Sequence, residues 1–329
     1  MTVFRTVSLK VVRLLAVLLV VSALCFLSLN LLPGDPAQII LGEAGSPEAV
    51  AALRLELGLD QPLVERFFSW LGGALHGDLG QSYASGQAVS DIIAQRAPIT
   101  IELIVISQLI ALAAAIPTAI AAAARRGSAV DRGLSLGVFS VLSTPNFVVG
   151  FILIWIFAVK LGLYPANGYI PVSAGFGQHL GSMLLPSLSL AAAPFALYQR
   201  VLRADLVETY GQEFMQVARA KGVSPVRMAV RHAIRPSLLG LTTQVGVTVG
   251  VLIGSDVIVE SLFGLPGLGA ELAHAVSGRD YVEVQGLVLV VATAFVLVNA
   301  LVDIVYGVID PRLRARSASR EAAPQRVAS

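Results

Sequence analysis

The chain has 329 residues, 56% of them hydrophobic and only 13% charged, with a mean hydropathy of +0.78 and a formal net charge of +2. A soluble domain needs about 25% charged residues to solvate its surface, so this composition excludes an ordinary soluble enzyme and places the chain in lipid; nothing in it supports nucleic acid binding. A single cysteine, Cys25, excludes an intrachain disulfide and a thiolate metal site, and His76, His179, His232 and His274 lack metal-ligand spacing.

The first apolar block, about 14–32, follows Arg5, Lys10 and Arg13. No small-x-small cleavage site follows it, and Leu24 precedes Cys25 where a lipoprotein signal needs a small residue, so an uncleaved first helix is expected. Residues 1–13 form the N-terminal segment before it. The segment 33–98 is too polar for lipid, yet it carries helix punctuation. Ser46-Pro47-Glu48 reads as N-cap, first-turn proline and first-turn acid, Gly58 as a stop, and Gln61-Pro62 as the opening of a stretch with Phe67, Phe68, Trp70 and Leu71. An amphipathic cap follows from this pattern, packed on helix ends or offering a docking surface.

Five more apolar blocks lie at about 99–124, 133–160, 182–203, 237–259 and 285–308, each near the ~20 residues that cross ~30 Å of hydrocarbon. Six spans put both termini on one side. With that topology 18 of the 23 Lys and Arg fall on the side of the termini, which the positive-inside rule makes cytoplasmic. Pro117 and Thr144-Pro145-Asn146 are read as interruptions of the second and third spans. Gly246, Gly250 and Gly254 recur every fourth residue in the fifth; a subunit interface and packing inside one bundle explain that spacing equally well.

Charges within the bilayer are costly and usually face protein or water. Pro145, Asn146, Asp256 and Glu260 are the candidates for a translocation path or gate. Asp256 sits within the fifth span among apolar residues, facing a pore or paired across helices; Glu260 lies nearer its end, solvated or capping a turn before Phe263. Glu102 is a further acid near a span, and Asp303, near the inner end of the sixth, suits a structural pairing with an arginine. A membrane-embedded enzyme finds no nucleophile, base and metal set, and a secondary transporter would show inverted repeats and clustered intramembrane acids, neither of which is seen.

The longest basic loop, 204–236, reads ADLVETYGQEFMQVARAKGVSPVRMAVRHAIRP. Its composition predicts a helix from Glu208 to Lys221 with Phe214, Val217 and Ala218 on one side, stopped by Gly222. Ser224-Pro225 then opens a second helix, and Pro236 marks the start of the fifth span. A short helix presenting Arg219 and Lys221 beside small apolar residues suits a groove in a soluble partner; enforcing orientation and touching anionic headgroups explains the same charges.

Ala218-Arg219-Ala220-Lys221-Gly222 with Arg231-His232-Ala233-Ile234-Arg235-Pro236 resembles the coupling loop of the dipeptide and oligopeptide branch of ATP-binding-cassette importer permeases. Leu32-Pro33-Gly34-Asp35-Pro36, Leu57-Gly58-Leu59-Asp60-Gln61-Pro62, Gly77-Asp78-Leu79-Gly80-Gln81-Ser82 and Glu260-Ser261-Leu262-Phe263-Gly264-Leu265-Pro266-Gly267-Leu268-Gly269 resemble the same branch, in the order of its first permease subunit, over about residues 5–315. The general importer motif begins Glu-Ala-Ala; here Gln216, Val217 and Ala218 stand there, and only the last alanine and the later Gly222 match.

The resemblance implies an all-α permease of the type I importer fold, with six spans, an extracytoplasmic helical segment at 33–98 and a cytoplasmic coupling helix between spans four and five; the tail at 311–329, rich in Arg, Ala and Ser, is expected from its composition to be disordered and cytoplasmic. It assigns Glu213, Gln216, Val217, Ala218, Arg219, Ala220, Lys221, Gly222 and Ser224 to contact with ATPase subunits. It also implies a second homologous permease, one or two ABC ATPases binding ATP and Mg, and an extracytoplasmic substrate-binding protein delivering di- to oligopeptides. Nickel complexes or haem are alternative cargo. No Gly-x-x-x-x-Gly-Lys-Ser/Thr loop is present, so this chain is expected to hold no cofactor and to hydrolyse nothing.

Overall fold

A computed structural model describes residues 2–30, 36–42, 46–56, 58–224 and 227–309. The motifs at 32–36 and 57–62 and the Ser224-Pro225 cap therefore lie partly outside the described residues, and the tail and the side chain of Asp303 lie wholly outside them.

The described chain is built from helices: α1 Thr2–Asn30, α2 Pro36–Leu41, α3 Pro47–Glu56, α4 Leu63–Leu75, α5 Val89–Ala124, α6 Ala129–Leu142 and α7 Asn146–Leu153, which continues as a π-helical stretch Ile154–Lys160. Then come α8 Phe176–Tyr210, α9 Glu213–Ala220, a π-helical turn Met228–Ala233, α10 Ile234–Ser255, α11 Val257–Phe263, α12 Leu268–Ser277 and α13 Tyr281–Ile309. Among the described residues four helices are long and apolar enough to cross a membrane, at Val89–Ala124, Phe176–Tyr210, Arg231–Gly254 and Tyr281–Val302. The apolar part of α1, Leu14–Ser28, is shorter.

Two of the expected interruptions behave differently. Pro117 does not break α5, which runs unbroken from Val89; the surroundings of a membrane helix can satisfy the one carbonyl that a proline frees. At Thr144-Pro145 the chain does turn, bending α6 against α7 and its extension by 103°. Proline disfavours helical geometry in the residue before it, so the break falls where the sequence puts it.

The chain packs as two compact units, residues 1–102, 167–175 and 253–296 forming the first, and 103–166, 176–252 and 297–329 the second. In the first, α3 begins as expected: the Ser46 hydroxyl accepts from Ala49 N at 3.2 Å. The aromatic face of α4 meets α1, with Phe67 edge-on to Phe26 at 5.4 Å and Arg66 over the same ring at 5.9 Å.

In the second unit Ala111, Ala115, Ala119 and Ala123 line one face of α5 at every fourth position. Their small size lets the backbone approach Tyr198, Leu202 and Leu206 of α8 in one buried cluster. Gly246 works the same way, since a Cβ there would collide with Val302, whereas a Cβ at Gly254 would meet nothing within 4 Å. The glycine repeat of the fifth span thus divides between packing within the chain and an open face.

Candidate functional site

The predicted coupling loop folds as a shorter helix than its composition suggests. Helix α8 continues to Tyr210, and the break falls at Gly211-Gln212. Gly211 N then bonds Glu208 O at 3.0 Å and Gln212 N bonds Thr209 O at 3.1 Å, so the helix expected from Glu208 is the end of one element and the whole of the next. At its far end Gly222 takes φ +73°, the left-handed conformation that closes a helix, with Val223 N returning to Ala218 O at 3.2 Å.

The orientation of α9 corrects the expected face. Met215 and Ala218 point inward, at 1% and 9% exposure, and join the α5–α8 cluster with Met228 and Ala233. Phe214 and Val217 point outward, at 45% and 53% exposure. Glu213, Gln216, Arg219, Ala220, Lys221, Gly222 and Ser224 are exposed as well. Of the nine candidate residues only Ala218 is buried, so α9 is pinned by one edge and offers the other. Met215, its deepest anchor, was missed by sequence reasoning; its spacing of three from Ala218 is the signal that marked it.

A second anchor was also missed. Arg203 of α8 forms a bidentate pair with Asp131 at the start of α6, 2.7 Å from Nε and 2.8 Å from Nη2, and Asp131 also accepts from Gly127 N at 2.9 Å. Ser128 caps α6 through Asp131 N. This fork ties the 125–128 turn to the same end of α8 from which α9 departs.

The candidate path residues separate in the structure. Asp256 is not inside a continuous span: α10 stops at Ser255, and Asp256 occupies the joint before α11. It is 1% exposed, and neither carboxylate oxygen finds a hydrogen-bond donor among the described residues. One turn on, Glu260 is fully buried and not solvated. Its Oε1 accepts from the Thr100 hydroxyl at 2.5 Å and its Oε2 from Ala270 N at 2.9 Å, while Leu268 N donates to Thr100 Oγ1 at 2.8 Å. Burial raises the Glu260 carboxyl above its ordinary range, and the bonds from Thr100 and Ala270 pull against that shift.

Glu260 thus caps the first turn of α12, where a carboxylate also meets the positive end of the helix dipole. Gly267 is required beside it, because a Cβ there would collide with the Glu260 carboxyl. The turn is further tied by Gly168 N, which donates to Phe263 O at 2.8 Å. Pro145 occupies the position just before α7, and Asn146 O accepts from the Ser189 hydroxyl at 2.7 Å, which fixes the bend between α6 and α7 against α8. Among the described residues no group of three His, Cys, Asp or Glu side chains is placed to hold a metal ion.

Comparison with known proteins agrees with this architecture. The chain is 40% identical over 306 residues to a Brucella abortus (strain 2308) permease named for a peptide transport system, covering 93% of this chain and 97% of that one. It is 37% identical over 305 residues to the glutathione transport system permease protein GsiC of Escherichia coli O6:H1, covering 93% and 97%. It is 36% identical over 321 residues to the dipeptide transport system permease protein DppB of Escherichia coli K12, covering 89% and 94%. An N-terminal family of binding-protein-dependent transport system membrane components matches residues 3–104, and the binding-protein-dependent transport system inner membrane component family matches residues 115–315. The chain therefore belongs to the binding-protein-dependent transport system inner membrane component family, a multi-pass membrane protein whose family supplies the non-catalytic transmembrane part of a transporter.

Proposed function

We propose that this chain forms half of the translocation pathway of an ATP-driven peptide importer, crossing the inner membrane six times with both termini cytoplasmic. A homologous permease supplies the other half, separate ABC ATPase subunits supply the energy, and an extracytoplasmic binding protein delivers a di- to oligopeptide. The names of the relatives, for peptides, dipeptides and glutathione, support the cargo class.

The observation that carries the mechanism is the placement of α9. Its inner edge belongs to the hydrophobic core of the second unit, while Phe214 and Val217 stand out beside Arg219 and Lys221. Large apolar side chains on a basic, polar segment are poor surface and good plugs for a groove. A force applied to those side chains passes through Met215 and Ala218 into α5 and α8 without a flexible intermediary, as alternating access driven by ATPase closure requires. In this reading Asp256, Pro145 and Asn146 belong to the moving path, and Glu260 holds the turn beside it.

The reading is tested by co-purification of the ATPase subunits with the chain. Phe214→Asp with Val217→Asp is expected to abolish retention of the ATPase and peptide uptake, and charge reversal at Arg219 and Lys221 to weaken both. Intact retention in both variants removes α9 as the coupling element. Uptake that persists without ATP overturns the transporter class.

A further inference from the structure

Residues of the first unit around the turn from α12 to α13 line a half-open polar cavity of about 320 Å³ that the transport reading leaves unused. Two of its acids are already engaged. Asp280, 2% exposed, accepts from the Ser82 hydroxyl at 2.7 Å, from Ala84 N at 3.0 Å and, at the start of α13, from Glu283 N at 3.1 Å. Glu271 pairs with Arg96 Nε at 2.7 Å. Glu283 is engaged on one side only. It lines the cavity at 5% exposure beside Ser82 and Glu271, and its Oε1 has no hydrogen-bond donor among the described residues.

A buried carboxylate oxygen without a donor is costly. Three acids, Glu271, Asp280 and Glu283, line the cavity with one guanidinium, Arg96, which Glu271 already holds, and one imidazole, His274, so acidic groups outnumber basic ones. The complement is therefore a cation that donates hydrogen bonds. A metal ion is a poor fit, since the described acids are not placed as a ligand set. The volume is that of a site for a whole small molecule, whose class begins at about 300 Å³. An alkylammonium group brings one positive charge and three donors at one end of such a molecule.

We propose that this cavity binds the primary ammonium group of a small organic cation, with Glu283 as its counter-ion. The argument stands on the cavity and does not need the peptide reading. In the orientation proposed above, the cavity lies on the side from which cargo arrives. The ammonium end of an incoming amine would be captured there before translocation.

The test uses the intact transporter complex in lipid nanodiscs and two probes that differ at the amine alone, L-alanyl-L-alanine amide and its N-acetyl derivative, with binding measured by titration calorimetry. The free amine is expected to bind about tenfold or more tightly than the acetylated form, because a charge-assisted bond to a buried carboxylate is lost on acetylation. Glu283→Gln is expected to erase that preference while leaving complex assembly and melting temperature unchanged. Equal binding of the two probes to the native complex overturns the proposal, and that comparison decides the matter even where the variant fails to assemble. A preference that survives Glu283→Gln overturns it too. If neither probe binds but Glu283→Gln weakens docking of the binding protein, the counter-charge is a lysine of that protein, and the small-molecule assignment falls. Peptide uptake is assayed separately, so failure of the transport reading is distinguishable from failure of this one.

Discussion

Helix α9 and the turn around Glu260 are both short helical pieces set off by glycine, yet they treat their polar and apolar groups in opposite ways. The Glu260 turn folds its polar atoms inward and satisfies them there, through Thr100, Leu268 N and Ala270 N. It asks nothing of a partner. Helix α9 buries two residues and leaves Phe214 and Val217 in the open. A buried, internally paired network fixes geometry, whereas an exposed apolar edge on a fixed helix stores binding energy for another chain. The first region should respond to substitution in stability, and the second in association.

The largest effect is expected at Glu260. Glu260→Leu leaves Thr100 and the Ala270 amide without their buried acceptor, a loss of about 3–5 kcal/mol when one member of a buried charged network is removed. Thermal unfolding of the purified chain should show it as a large drop in melting temperature, and Glu260→Gln should recover part of it. Next comes Met215→Ala, which opens a cavity under α9 at a residue 1% exposed and is expected to cost about 2–4 kcal/mol. The neighbouring Phe214→Asp with Val217→Asp should change melting by no more than about 0.5 kcal/mol, because exposed positions rarely do. Should Phe214 prove as costly as Met215, the contrast between the two faces of α9 would fail.

The sequence makes the helical, lipid-borne class legible because length and hydropathy alone demand it, and the Gly222 stop and the Ser46 cap are legible because local backbone geometry demands those residues. What it hides is orientation. Over the eight residues of α9, a helix of two turns, the apolar positions 214, 215, 217 and 218 surround much of the axis, so the buried edge is decided by the α5 alanine face and α8. Glu260 looked like a pore or surface acid because its partners, Thr100 and Ala270, lie 160 and 10 residues away. The α6–α7 bend was visible in Pro145, but Pro117 carries the same residue type in an unbroken helix. A proline marks where a helix can break, and packing decides whether it does.

A smaller change sharpens the same comparison at the end of α9. Gly222→Ala forces a side chain into φ +73°, at a cost of about 1–2 kcal/mol in a helix that only the core edge holds in place. Nothing lies within 4 Å of the added Cβ, so the penalty is conformational alone. The variant should assemble but hold the ATPase less well, measured as faster dissociation of the ATPase from the immobilised permease.

At Asp256 a small effect on folding is expected, and there it separates structure from transport. The carboxylate is 1% exposed, with the Glu260 carboxyl beside it and no donor among the described residues, so replacing it removes a group whose burial already opposes folding. Asp256→Leu should therefore alter melting by about 1 kcal/mol or less, in either direction, since a similar volume of apolar atoms fills the site. If the joint between α10 and α11 moves during transport and opens Asp256 to water, uptake falls while assembly is untouched, and Asp256→Asn falls less. Normal uptake in both variants takes Asp256 out of the path, and a large loss of melting temperature in Asp256→Leu shows instead that the carboxylate has a partner and belongs with Glu260 to the folded turn.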